Sequence, residues 1–175
     1  MSEVPLTGDE IRSYLHEVAE ALGPDGPSHT LVLVGGSLLA LVGLRASTVD
    51  VDTIGEVDAE VSAAVRVVAA AHGLAPRWLN DSAAAFVPVT FEERDCQKLF
   101  DVGRLQVLGA PLSQVFVMKL HAHRPQDVED MARLWARTGF SSPEDAARAY
   151  ALAYPHEDPD PHLADFIAEA VAGSD

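Results

Sequence analysis

The chain has 175 residues, one domain's worth, and its 48% hydrophobic content is ample for a core of that size. The single cysteine, Cys96, excludes an internal disulfide and an all-cysteine metal site, and no apolar run approaches the ~20 residues that span a bilayer. The formal charge of -15 disfavours generic binding to nucleic acid or anionic membranes, whose phosphates meet a repulsive far field.

Met1 to Ser13 has no basic-then-apolar leader pattern, so the expected location is the cytoplasm. Thr7 to Glu10 reads as a capping box, and Ile11, Tyr14, Leu15, Val18 and Leu22 follow at helical spacing. Gly23 to Pro27 stops that helix. Thr30 to Val34 is a short buried strand ending at Gly35-Gly36. Ser37 to Leu44 is read as a short helix and Thr48 to Ile54 as a second strand. Val57, Val61, Ala64, Val65 and Val68 mark another helix, closed by Gly73.

Strands are expected over Phe86–Phe91, Lys98–Val102 and Leu105–Leu108, the last two joined by a turn at Gly103. Leu112 to His123 reads as a helix broken at Pro125, and Val128, Met131, Leu134 and Trp135 set a further helix before Gly139. Ser142-Pro143 and Asp160-Pro161 each read as a cap followed by proline at the first helical position. The fold class that follows is α+β, a small mixed sheet flanked by helices with a helical C-terminal part. The whole chain, 1–175, is taken as one domain, with a core at about 28–138 and the C-terminal helices at about 139–175.

Chemistry concentrates between Val34 and Asp52. Glycines without Cβ let backbone N–H groups approach an anion closely, as at the turn Gly35-Gly36-Ser37. Asp50 and Asp52 lie two apart, which puts both carboxylates on one face of a strand. Two such anions repel unless a cation lies between them, and Mg²⁺ favours carboxylates together with substrate phosphates.

Gly35-Gly36-Ser37 followed by Asp50-Val51-Asp52 resembles the signature of the polymerase-β-like nucleotidyltransferase superfamily. The stretch from Gly43 to Asp52 is closest to small bacterial members, including AbiEii/MenT-type toxins of toxin–antitoxin pairs. A second stretch, Val117 to Met131, resembles the segment that follows the catalytic sheet in those proteins. The resemblance spans about residues 30–138. It implies Mg²⁺ on Asp50 and Asp52, and an NTP contacted by Gly35, Gly36, Ser37, Arg45, Thr48 and Lys119. Asp50, Asp52, Lys119 and Asp127 take the catalytic roles. Arg45 either contacts phosphate or bridges the carboxylates. Asp127 and Asp130 are also an i,i+3 pair on one helix face.

Most active enzymes of the superfamily carry a third carboxylate on a later strand. Asp101 is the candidate for that metal ligand, with Asp95 second. The implied acceptor is a hydroxyl: a tRNA 3′ end, as for a toxin with a cognate antitoxin, a protein side chain, or a small molecule. A nucleotide-binding module without turnover is the alternative. The acidic surface speaks against bulky RNA, whereas Lys119 to Arg137 is locally basic. His121 and His123 point about 200° apart on a helix, poor geometry for one metal. His156, His162 and Cys96 read as bystanders, and Trp78 and Trp135 as core or groove-wall aromatics.

Overall fold

The computed structural model describes residues 4–173; the first three residues of the segment read as leader-free, and the last two residues of the chain, lie outside the described residues. Two compact units are present. The first comprises the described residues up to Ala85 together with Cys96–Ala110, and the second Phe86–Asp95 with the chain from Pro111 onward.

In the first unit, strand β1 (Leu6–Thr7) runs into helix α1 (Gly8–Leu22). Thr7 is its N-cap: the Glu10 N–H donates to the Thr7 hydroxyl, and the Thr7 N–H donates to the Glu10 carboxylate at 2.8 Å. Then follow β2 (His29–Val34), α2 (Gly35–Leu41), β3 (Ser47–Thr48), β4 (Val51–Thr53), α3 (Ala59–His72), β5 (Leu79–Asn80), β6 (Gln97–Val102) and β7 (Leu105–Gly109). The main sheet has the order β5-β4-β2-β7-β6. β2 is parallel to β7 and antiparallel to β4, β4 is parallel to β5, and β6 is antiparallel to β7. The sheet is therefore mixed and the fold α+β, as its sequence pattern predicts.

Ile11, Leu15 and Val18 from α1, Leu31 and Leu33 from β2, Leu39 from α2 and Val107 from β7 are essentially inaccessible to solvent. Trp78 is also core; its indole N–H donates to the Val65 carbonyl at 3.1 Å.

The expected strand over 48–54 is broken. Thr48 pairs with Leu6 in a separate two-stranded sheet, whereas Val51 and Asp52 pair with β5 and Asp52 also with β2. The chain changes sheets at Val49-Asp50 and bends there. The strand expected over Phe86–Phe91 is absent. Ser82–Phe86 is a 3-10 turn, and the residues after it run irregularly. Pro88 has no N–H to donate to a ladder, and the Val89 N–H is bonded to the Ala153 carbonyl at 3.0 Å.

The second unit holds α4 (Leu112–Ala122), α5 (Pro125–Thr138), α6 (Pro143–Ala153) and α7 (Leu163–Val171). Phe116, Met131, Leu134, Ala146 and Ile167 form its core, with the Phe116 ring against Trp135 at 5.6 Å and Phe140 at 5.8 Å. Ser142 caps α6 by accepting from the Asp145 N–H. Asp160 does not cap α7. Its carboxylate accepts the His162 N–H at 2.8 Å in a turn, and the helix starts after it. No helix among the described residues is long and apolar enough to cross a membrane.

Candidate functional site

β2 delivers the chain into the turn at Gly35, where φ is +59°, a conformation that L side chains rarely adopt. Val34 at the end of β2 is level with Asp52 on β4. That register sets the Asp52 side chain over the glycine: a Cβ added to Gly35 would stand 3.2 Å from Asp52 Oδ2. Gly36 is covered from the other direction. A Cβ there would lie 2.7 Å from Thr48 Oγ1 and 3.1 Å from Arg45 Nη1. Both positions thus need glycine, one for its backbone and both for the room it leaves.

Gly35, Gly36, Arg45, Thr48 and Asp52 are brought together in this way. Arg45 is held by its Nε, which donates to the Ser47 carbonyl at 2.8 Å, so its Nη1 end is presented towards Gly36. Ser37 is fully buried, and its hydroxyl donates to the Val34 carbonyl at 2.9 Å. Its side chain shapes the turn from inside rather than facing solvent. Along the next segment Val51 and Thr53 are fully buried while Asp50 and Asp52 are half-buried. The aspartates alternate with core residues, Asp50 at the bend and Asp52 on β4.

Asp101 is not beside them. It sits on β6, three strands from β4, which is about 14 Å at the usual strand spacing. It is level with Gln106, which pairs with Thr30, whereas Asp52 is level with Val34 at the opposite end of β2. The Asp101 carboxylate is instead bound by Lys98 at 2.7 Å, which holds its carboxyl below the usual aspartate range. As a shared metal ligand with Asp50 and Asp52 it is ruled out by distance. Asp95 ends an exposed 3-10 turn in the second unit. Among the described residues no three His, Cys, Asp or Glu side chains gather as a metal-binding group.

Lys119 and Asp127 belong to the second unit, where they form a cluster with Asp130. Lys119 on α4 is 7% exposed, and Asp127 and Asp130 on α5 are 6% and 2% exposed. The Lys119 ammonium donates to Asp127 Oδ1 at 2.9 Å and to Asp130 Oδ2 at 2.8 Å. Two of its three donors are thereby engaged. The second oxygen of Asp127 is buried and has no hydrogen-bond partner; Arg124 Nε stands 3.8 Å from it. His121 is packed elsewhere in the unit, stacked on Tyr154 with ring centroids 3.9 Å apart and with its Nδ1 3.3 Å from the Tyr150 hydroxyl.

Residues 13–136, well over half of the chain, match the family model described as nucleotidyltransferase of unknown function, DUF6036. The chain belongs to this family. No curated protein and no solved structure matches it. The matched residues include the glycine turn, Arg45, Thr48, both aspartates of the 50–52 segment and the buried lysine cluster.

Two features of this nucleotidyltransferase escape a sequence reading. Asp130 stands out there only as the helical neighbour of Asp127, and its bond to Lys119 crosses the α4–α5 junction. The second is a buried pair of basic side chains, Arg104 and His29. Their partners lie far away in the chain, at Leu22, Gly23, Pro27, Asp58 and Glu60. No local spacing announces such contacts.

Proposed function

We propose that this member of the nucleotidyltransferase family transfers a nucleotide from an NTP to an acceptor hydroxyl in a Mg²⁺-dependent reaction. One observation carries the reading: the Asp52 carboxylate lies over a glycine turn whose other side is lined by Arg45 and Thr48. A cradle that two side chains would fill stands next to hard oxygen donors, the donor set that suits Mg²⁺. Asp50 and Asp52 are the residues that would hold it. When bound, Mg²⁺ supplies charge neutralisation and polarisation of the phosphates.

The remaining parts are the chain's own. Backbone N–H groups of Gly35 and Gly36 receive phosphate oxygens, Arg45 adds a fixed positive charge, and the Thr48 hydroxyl adds a donor. Ser37 holds the turn in shape. Lys119 and Asp127 serve the transfer, Lys119 as a charge and Asp127 as the carboxylate that accepts a proton or orients the acceptor. The resemblance to AbiEii/MenT-type toxins makes a tRNA 3′ end the first acceptor to test and a neighbouring antitoxin the first protein partner.

The test is Mg²⁺-dependent incorporation of α-³²P-labelled NTPs into total RNA, total protein and a pool of small hydroxyl compounds. Labelling of tRNA is expected. Asp52→Asn should lower the rate about 1,000-fold, the loss of several kcal/mol of charge stabilisation. Labelling of none of the pools overturns the transfer reaction.

A nucleotide-binding module without turnover is the second reading. The distance of Asp101 from Asp52 favours it, because no third carboxylate from the sheet is then available to the pair. NTP binding without labelling of any acceptor is its signature.

A further inference from the structure

At its buried centre the cluster around Lys119 has two acids and one base, and Arg124 and Arg133 reach it only from partly exposed positions. Lys119, Asp127 and Asp130 are each more than nine-tenths buried, and their formal charges sum to minus one. A buried ionic cluster that served only to join two helices would satisfy its acceptors, because a desolvated oxygen with no donor costs free energy. Asp130 meets that condition at Oδ2 through the ammonium and has Arg133 Nη1 3.6 Å from Oδ1. Asp127 does not: Oδ1 accepts from Lys119 while Oδ2 is left without a hydrogen bond.

An ammonium held by one acceptor can swing about its last side-chain torsion. A second acceptor at 2.8 Å removes that freedom, so Asp130 fixes where the Lys119 donors point. Lys119 in turn fixes the plane of Asp127, and the free oxygen is presented in one direction. We infer that Asp130 is a positioning residue that pins Lys119, so that Lys119 holds Asp127 with its Oδ2 kept for substrate. The inference rests on the proposed role of Asp127 in transfer.

Two experiments decide it. In the labelling assay, Asp130→Ala should lower kcat roughly 10- to 100-fold with KM for the NTP within about twofold, the range seen when an outer-shell partner is lost. Asp130→Asn restores an acceptor of the same shape and should recover most of that loss. In an Asp127→Asn background, Asp130→Ala should add nothing. An equal loss in that background overturns the inference. So does an Asp130→Ala enzyme that is less stable but turns over at the wild-type rate. Full activity in Asp127→Asn alone overturns the role of Asp127, and the inference with it.

The second experiment needs no turnover. The chain has two lysines, and Lys98 is largely exposed, so only Lys119 should give a solvent-protected ammonium signal in ¹H–¹⁵N NMR. Lys98→Arg assigns it. The signal should persist in Asp130→Asn and vanish in Asp130→Ala. Its persistence in Asp130→Ala means that Asp130 does not pin Lys119.

Discussion

The two units each bury an ionic cluster, and the clusters are built on opposite plans. In the first, the buried groups are Arg104 and His29, and their carboxylate partners are partly exposed. Arg104, in the turn between β6 and β7, donates to the carbonyls of Gly23 at 3.1 Å, Pro27 at 2.6 Å and Leu22 at 2.6 Å, and also to Glu60. His29, at the start of β2, places Nδ1 3.0 Å from Asp58 and Nε2 2.9 Å from Glu60. Those two carboxylates reach solvent, so the excess charge is hydrated and the buried donors are used up. In the second, the acids are inside and one oxygen is bare. The first plan is that of a clamp tying the end of α1 to the start of α3. The second leaves one buried carboxylate oxygen without a donor, at a cost in stability.

Lys119→Ala should break this comparison most severely. It removes the one buried cation that two buried carboxylates share, leaving them only the longer contacts to Arg124 and Arg133, which costs about 3–5 kcal/mol. Urea denaturation should show the midpoint falling at constant m. Asp127→Asn and Asp130→Asn together in the Lys119→Ala background should return part of the loss.

Arg104→Lys should come next, with a smaller drop in the unfolding midpoint. A lysine keeps one charge for Glu60 but cannot reach three carbonyls that a planar guanidinium serves together. Thermal unfolding of the two variants side by side ranks them. If Arg104→Lys proves the more damaging, the contrast between solvated and buried carboxylates is wrong.

The clamp also predicts a pH dependence. Arg104 beside Glu60 holds the Glu60 carboxyl below its ordinary value of 4.5, and the Val61 N–H does the same for Asp58. Each group therefore prefers its ionised form in the folded state. Their contribution is complete above the ordinary carboxylate value and is lost as pH falls through the lowered folded value. Stability of the wild type should decline on acidification below about pH 4.5. Glu60→Gln should flatten that decline. An equally steep acid limb in Glu60→Gln assigns it to other carboxylates.

Much of both units could be read from sequence where the signals are local. The Thr7–Glu10 box, the turn at Gly103 and the cap at Ser142 each involve residues within a few positions of one another. The glycine turn and Asp52 were legible for a related reason, since a short strand leads into the turn and another returns beside it. The failures share a cause as well. The 48–54 strand breaks because its two halves pair with different sheets, which no local pattern encodes. Asp101 has the right residue type on the right kind of strand, but strand order puts it at the far edge.

Asp127→Asn sharpens the contrast from the side of stability. The amide has nearly the same shape and keeps an oxygen for Lys119, while the buried excess charge disappears. The change in unfolding free energy should stay within about 1 kcal/mol, because the lost charge-assisted bond is offset by relief of an unsatisfied anion. Activity should fall sharply in the same preparation. A large loss of stability would mean that the bare oxygen has a partner in solution and that the cluster is a second clamp.

The smallest effect is expected at Asp101. Its ion pair with Lys98 joins two half-exposed side chains on the edge strand β6, where water screens the attraction. Asp101→Asn should leave both the unfolding midpoint and the labelling rate at wild-type values. The depressed carboxyl of Asp101 does not argue otherwise, since an adjacent lysine lowers any surface carboxylate without making it part of a reaction. Were Asp101→Asn to abolish labelling while the fold stayed intact, β6 would have to approach β4 in the working enzyme. The order of the central sheet, with β2 and β7 between those strands, would then not be the order in which it acts.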